Sequence, residues 1–148
     1  MTLIRVKFQT DLRAACVSLL GSYKDEVDIN LQIYPARPRT IAPPTAFIDG
    51  IREQVTYSGH LVQRRPTADL IVVHGIFDSK EAADQKDAFV DEFLDWLIDR
   101  YHEAGANTMV QIDETEDIPD FVPEWLPPAE QRTYYATRLG VGGLALTG

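Results

Sequence analysis

The residues best placed to do chemistry are five aspartates on one predicted helix. Residues 78–101 have the periodicity of an amphipathic helix, and the aspartates share the face opposite its apolar side chains. Carboxylates in such number can bind a divalent cation or act as general acids and bases. At a rise of about 1.5 Å per residue, however, Asp87 and Asp99 lie about 18 Å apart, and one small site cannot use ligands spread so far. The five are Asp84, Asp87, Asp91, Asp95 and Asp99.

These five side chains form what we name the acidic ridge, and two interpretations of it stay open. It is either a solvated helix face or a face lining a structure that must repel anions. Like charges at i, i+4 spacing repel by a few tenths of a kcal/mol per pair, a cost that a helix tolerates when its other face is docked. Asp78 and Glu81 fit an N-terminal capping pair. The predicted docking face comprises Ala82, Phe89, Val90, Phe93, Leu97 and Tyr101.

No catalytic or metal-binding motif accompanies the ridge. The histidines at 60, 74 and 102 are far apart and lack the spacing of metal ligands. The glycine-rich stretch 140–143 is too short for a dinucleotide fingerprint and follows a strand instead of preceding a helix. Cys16 stands alone at an apolar position, which predicts a buried, reduced thiol. These features favour a binding or structural role without cofactor or metal.

Length and charge restrict the fold and the partners. A chain of 148 residues predicts a single domain over 1–148. Its 14 basic and 23 acidic residues leave a formal charge of −9, which argues against nucleic-acid wrapping because phosphate binding needs clustered Lys and Arg. The sequence shows no apolar run of transmembrane length and no signal core, so we expect a soluble, cytoplasmic protein without a membrane partner.

Four arginines and one tryptophan are candidates for contact with another protein copy. Arg37 and Arg39 lie in a proline-rich connection, and Arg64 and Arg65 precede a predicted central strand. They are either solvated loop charges or partners for carboxylates of a neighbouring copy, since arginine is enriched at interfaces. Trp125 is a large apolar anchor in an otherwise acidic segment and joins them as a candidate.

The predicted element order is helix, three strands, helix, two strands. The first helix covers about 10–20, with Gly21 as its C-terminal cap; it starts as early as Thr2 unless Val6 and Phe8 belong to a strand. Residues 113–131 are rich in carboxylates and contain four prolines, which predicts a mobile loop. The fold class is therefore α+β, a mostly antiparallel sheet of four to five strands flanked by two main helices. The strands are predicted at 27–33, 46–54, 68–76, 108–112 and 133–139.

Four segments together carry a family resemblance, which covers residues 3–139 as pattern and element order. Taken together, they resemble the tail terminator proteins of long, non-contractile-tailed phages. The last of the four is followed by a break of small residues and a closing strand pair. The segments are Ile33-Tyr34-Pro35 with Arg37-Pro38 just beyond, Pro44-x-Ala46-Phe47-Ile48-Asp49, Arg64-Arg65-Pro66 leading into Leu70-Ile71-Val72-Val73, and Ala83-Asp84-x-x-Asp87-x-x-Val90-Asp91.

The resemblance implies a virion structural protein and no enzyme. Such a protein forms a hexameric ring that caps the tail tube, ends polymerisation of the major tail protein and presents a surface to head-completion proteins. It implies a mixed sheet flanked by helices, and a location in the virion tail after assembly in the host cytoplasm. Two alternatives stay open: another neck protein, either a head-closure or a tail-completion component, and a small cytoplasmic enzyme with a site assembled across the sheet.

Overall fold

Two long helices and a six-stranded sheet make up the part of the chain that the computed structural model describes, namely residues 4–76, 80–102, 111–142 and 146–147. The α+β prediction is confirmed, with one strand more than expected. A 3-10 turn, Pro128–Glu130, precedes the fifth strand. The elements are α1 Ile4–Val27, β1 Gln32–Tyr34, β2 Thr45–Ser58, β3 Leu61–Ile76, α2 Lys80–His102, β4 Gln111–Phe121, β5 Tyr134–Gly142 and β6 Leu146–Thr147.

The sheet has the strand order β1-β2-β3-β5-β4, with β6 paired to β3. β1 runs parallel to β2, and every other pairing is antiparallel. β2 and β3 form a long hairpin that turns at Gly59 and His60, where Gly59 has a φ of 62°. β5 pairs with β3 only from Thr67 onward, so residues 51–66 extend past the body of the sheet. We name residues 51–66 the hairpin arm.

Both helices pack on one face of the sheet. Because side chains alternate along a strand, residues 46 and 48 of β2 and 68, 70 and 72 of β3 point to this face. α1 meets them with apolar residues at helical spacing. The buried core of this face consists of Leu12, Cys16, Leu19, Leu20, Tyr23, Leu31, Ala46, Ile48, Ala68, Leu70, Val72, Phe93, Leu139 and Val141.

Tyr23 joins the two helices over the sheet. Its ring packs edge-on against Phe89, Phe93 and Trp96 at centroid distances of 5.7, 5.0 and 5.3 Å. Each such pair contributes about 0.5–1.5 kcal/mol beyond the area it buries. Trp96 Nε1 also donates to Glu26 Oε2 at 2.9 Å. The predicted docking of the second helix through Phe89 and Phe93 is confirmed.

Cys16 lies in this core, as predicted. It is a free cysteine and only 1% exposed. Burial raises the pKa of its thiol to about 12, so almost none of it is thiolate at neutral pH.

The first helix is longer than predicted. Gly21 lies inside α1 and not at its C-terminal cap, because the helix continues to Val27. It ends where Asp28 adopts a φ of 56° and the Ile29 N–H donates to the Lys24 carbonyl at 3.2 Å, a Schellman arrangement. The alternation of apolar residues over 27–33 therefore does not form one strand, and β1 keeps only its last part.

The predicted loop over 113–131 is wrong in its first part. Residues 113–121 belong to β4, an edge strand paired with β5 through two register shifts. Pro119 falls within the second shift, between Ile118 and Phe121, where an interrupted ladder tolerates a residue without an N–H. A loop does follow from residue 122 to 133. The predicted cap at Asp78, most of the strand predicted at 108–112 and the side chains of Ala82, Leu97, Asp99 and Tyr101 lie outside the described residues.

We expect Gly21→Ala to stabilise the protein by about 0.5–1 kcal/mol, because glycine inside a helix is disfavoured by that amount. A Cβ at Gly21 would meet no atom within 4 Å. Urea unfolding of the two proteins measures the difference. Gly59→Ala is the matched control: its Cβ also has open space, but the φ of 62° strains any side chain, so it should destabilise. A destabilised Gly21→Ala would contradict an interior helical position.

Candidate functional site

The sheet face away from the helices is divided into an apolar half and a charged half. The apolar half buries Phe47, Ile71, Val73, Tyr134 and Ala136. Partly buried residues of β1, of β4 and of the loops before β2 and after β4 pack against them. Along the same strands, the charged residues lie two positions from the apolar ones. Because side chains alternate along a strand, both sets point to one face of the sheet. We name the charged half the ionic face; its members are Arg37, Asp49, Arg52, Arg65, Asp69, Asp113, Glu114, Glu116 and Arg138.

Arg138 is the centre of the ionic face. Its Nη1 donates to Asp69 Oδ1 at 2.9 Å, and its Nη2 donates to Glu114 Oε1 at 2.7 Å and Glu116 Oε2 at 3.0 Å. Its side chain is only 19% exposed. The hydrogen bonds to these carboxylates, Glu114 first, raise the pKa of Arg138 further above its ordinary value. Because the three acceptors stand on β3 and β4, one guanidinium on β5 connects three strands.

Two aspartates on neighbouring strands each need a cation. Asp49 and Asp69 are directly opposite in the β2–β3 register, and like charges in that position destabilise a sheet. Asp69 also accepts a bond from Arg52 Nη2 at 3.1 Å, in addition to the bond from Arg138. Asp49 accepts from Arg37 Nε at 2.9 Å. The arginines thus convert a repulsive pair into a neutralised row across the sheet.

Two glycines of β5 make room for this arrangement. A Cβ at Gly142 would lie 2.2 Å from Arg65 Nη2, and one at Gly140 would lie 2.6 Å from Glu114 Cγ. Both side chains therefore lie across the β5 backbone. Arg65 ends at Asp113, with Nη1 2.9 Å from Oδ2. Gly140 and Gly142 therefore allow side chains of other strands to approach the β5 backbone closely.

A cleft of about 240 Å³ opens within the ionic face. Its walls include Arg52, Asp69, Glu114, Arg138 and Gly140. Both of these arginines already bond carboxylates, so among its described lining residues the cleft presents no unpaired cation to an anionic ligand.

Two of the four predicted interface arginines have partners within the chain. Arg37 pairs with Asp49, and its Cζ lies 4.9 Å from the centroid of the Trp125 ring. Arg65 pairs with Asp113. Arg39 is exposed and makes no hydrogen bond or ion pair in the described part of the chain. Nothing is described of the Arg64 side chain, and the contact of these arginines with another copy stays a prediction.

Trp125 is an anchor inside the chain. Its ring packs edge-on against Phe47 at 5.4 Å and lies 6.1 Å from Phe121, and its Nε1 donates to the Pro38 carbonyl at 2.7 Å. It therefore holds the loop after β4 and the proline-rich connection on the apolar half of the face. A contact of Trp125 with a partner stays a prediction.

The four described aspartates of the acidic ridge lie on the outer side of α2. Asp84, Asp87, Asp91 and Asp95 are all exposed, whereas Phe93 on the opposite side of the helix is fully buried. Nearby, Lys86 Nζ bonds Asp117 Oδ2 at 3.1 Å and fixes α2 to β4. Four exposed carboxylates strung along a docked helix form an extended negative surface and no compact site.

Sequence analysis missed the residues that matter most to the ionic face, which are Asp49, Asp69 and Arg138. A usable signal was present. Each is a charged residue within an otherwise apolar strand, and a charge in a buried strand needs a partner from a neighbouring strand. Which partner it takes depends on the register, which a single strand does not reveal.

His74 is the titratable side chain buried beneath α2. It is 4% exposed, its Nε2 lies 3.0 Å from Thr137 Oγ1, and its ring packs edge-on against Phe89 at 5.6 Å. Burial, assisted by the nearby Lys86 ammonium, lowers its pKa from 6.5 to about 4 in spite of Asp117 and Asp87. His74 is therefore a neutral core residue at physiological pH.

No family model and no curated protein sequence matches the chain. Within the described ranges, neither helix combines the length and apolar character needed to cross a membrane, and no three His, Cys, Asp or Glu side chains converge as a metal site. The chain's own residues must therefore carry any proposal about function.

We expect Arg138→Met to destabilise the protein by about 1–3 kcal/mol, because three carboxylates lose a largely buried charged donor. Arg132→Met is the matched control, since Arg132 is exposed and has no ion pair among the described residues; it should change stability by less than about 0.5 kcal/mol. Urea unfolding at neutral pH measures both. Equal free energies of unfolding for the two variants would remove Arg138 from the centre of the network.

The lowered pKa of His74 predicts a loss of stability in mild acid. Between pH 6.5 and 4 the unfolded chain binds a proton at this site and the folded chain does not, so stability falls as the pH is lowered through that range. From pH 7 to 5 the loss should be about 2 kcal/mol. His74→Gln should lack this part of the pH dependence, as urea unfolding at several pH values measures. The same slope in both proteins would contradict a neutral, buried His74.

Proposed function

We propose that this chain is a structural protein of a phage virion, a tail terminator that forms a hexameric ring, caps the tail tube and joins it to the head. The observation that carries the proposal is the exposed acidic ridge on a helix docked firmly by its other side. The α+β architecture supports it, because a sheet flanked by helices is what the resemblance over residues 3–139 implies.

The ridge has a function at the inner wall of such a ring. Six copies at −9 each concentrate about −54 of formal charge. Phosphate binding is dominated by electrostatic attraction, so a wall of like charge lets DNA pass without adhering. Specific nucleic-acid binding is not part of this role. The partners are other copies of the chain, the major tail tube protein and a head-completion protein.

Contacts between copies in the ring must overcome the repulsion of acidic subunits. Arg39 is suited to bond a neighbour's carboxylate, since it is exposed and not engaged within the described chain. Arg64 is a second candidate, on the basis of the sequence alone. Arg37, Arg65 and Trp125 can contribute only by sharing or exchanging the contacts that they already make.

Removing the gene from the phage that encodes it tests the function directly. We expect tail tubes that exceed the normal length and do not join heads, seen by negative-stain electron microscopy, with normal tails restored by the gene supplied in trans. A head-closure or tail-completion protein would instead leave tube length normal. Tails of normal length without the gene would overturn the terminator assignment, and a gene far from any tail protein gene would argue against both roles.

Neutralising the ridge tests its position. A variant with Asp84, Asp87, Asp91 and Asp95 changed to asparagine should still give rings and tails of normal length but fewer particles that deliver DNA. The matched control removes the same charge from exposed carboxylates elsewhere, by Asp25→Asn, Asp120→Asn, Glu124→Gln and Glu130→Gln, and should deliver normally. A ring structure with the ridge on its outer surface would contradict the inner-wall role.

A further inference from the structure

The hairpin arm concentrates the apolar surface that the described chain leaves exposed. Tyr57 is 76% exposed, Leu61 52% and Val55 44%, all close to the tip of the arm. Among residues whose side chains the structure describes, the one other large apolar residue that is exposed is Val27, 38% exposed at the end of α1. Val55 and Tyr57 are two residues apart on β2 and share one face of the arm, whereas Leu61, paired with Ser58, points to the other face. Neighbouring large apolar side chains that are both exposed indicate a contact surface.

The backbone of the arm is also unpaired along one side. β1 covers β2 only from Thr45 to Phe47, so no described strand pairs with the outer edge of β2 from residue 48 to 58. Residues 54–58, Gln-Val-Thr-Tyr-Ser, contain neither a charge nor a proline. An uncharged, unpaired stretch of five residues is a template for an added strand.

The opposite edge of the sheet shows that this chain does protect edges elsewhere. β4 carries five carboxylates between residues 113 and 120, contains Pro119 and departs from regular register twice. Charges, proline and bulges are the features that prevent strand addition. The first part of the β2 edge has such features too, with Asp49, Arg52, Glu53 and a bulge between Asp49 and Arg52, but residues 54–58 have none and are the part left able to pair.

We infer that the β2 edge of the arm pairs antiparallel with the same edge of a second copy, about a two-fold axis at Thr56. This register sets Val55 opposite the partner's Tyr57 on both sides of the axis. Aromatic side chains opposite β-branched ones are favourable cross-strand pairs. A two-fold contact needs a self-complementary patch, and this segment provides one.

The distribution of charge favours a second copy of the chain as the partner of the hairpin arm. The chain carries −9, so two copies repel wherever carboxylates face each other. Residues 54–66 contain no carboxylate, which lets two arms approach closely. The apolar residues of the arm also suit another arm, because Val27 is the only further large exposed apolar residue among those whose side chains the structure describes. Added salt should therefore strengthen the contact.

This contact is distinct from the ring contact and does not rest on the proposed function. A two-fold pairing joins copies in pairs, whereas a ring uses different surfaces on its two sides. In a ring-forming protein it would join two rings face to face.

A cysteine at the axis tests the inference. We expect Thr56→Cys to form a disulfide-linked dimer on mild oxidation, because residues paired on the axis of an antiparallel ladder bring their Cα atoms to within about 6 Å. Ser58→Cys is the matched control: it is equally exposed on the same strand, but its two copies would lie roughly 14 Å apart. Cys16 is buried and does not compete. Equal rates of cross-linking in the two variants would overturn the proposed pairing.

Sedimentation of the unmodified chain completes the test. The wild type should form dimers at micromolar concentration, more strongly in high salt, and the double variant Val55→Thr, Tyr57→Ser should raise the dimer Kd by about tenfold or more. Val27→Thr should leave it unchanged. A wild type that stays monomeric, a dimer weakened by salt or single rings with unpaired arms would each overturn the inference. A dimer that forms no ring would support the pairing of arms and contradict the proposed ring. Each of the two proposals can therefore fail while the other holds.

Discussion

Alternation along β2, β3 and β5 is the constraint on which the rest of the structure depends. One set of alternate residues along these strands packs beneath the two helices, and the other set points to the opposite face and contributes to the apolar half and the ionic face. A register slip of one residue in β3 would carry Asp69 into the core and Leu70 to the open side. Burying an unpaired aspartate costs several kcal/mol, so the charged residues of the ionic face also secure the register of the core.

The same constraint explains what was readable from the sequence. Local periodicity predicted α2, its docked side and the approximate places of β2, β3 and β5, because each of these elements buries one side against the core. The α+β class followed from their order. The spacing of apolar residues gave a wrong prediction over 27–33. Val27 ends α1 and β1 begins only at Gln32, yet the apolar residues between them happen to alternate as in one strand.

Two features were out of reach because they depend on residues distant in the sequence. β4 is a strand despite its carboxylates because Arg138 from β5, Arg65 from β3 across β5, and Lys86 from α2 neutralise most of them. Without those partners, composition alone favours a loop. The centre at Arg138 was missed for the same reason: its acceptors lie 22 to 69 residues away along the chain.

The carboxylates of this acidic protein are paired with basic side chains on some surfaces and mostly unpaired on another. Most carboxylates on β4 and on the ionic face bond an arginine or a lysine, whereas Asp84, Asp87, Asp91 and Asp95 are exposed along α2. Of these four, only Asp87 has an ion-pair partner among the described residues, Lys86 at 3.6 Å. The ridge therefore contributes much of the long-range negative field, which repels both polyanions and other copies. Self-association is then restricted to surfaces without carboxylates. Since residues 54–66 are such a surface and are apolar near the tip, the same distribution of charge leaves the hairpin arm as the place where copies can meet.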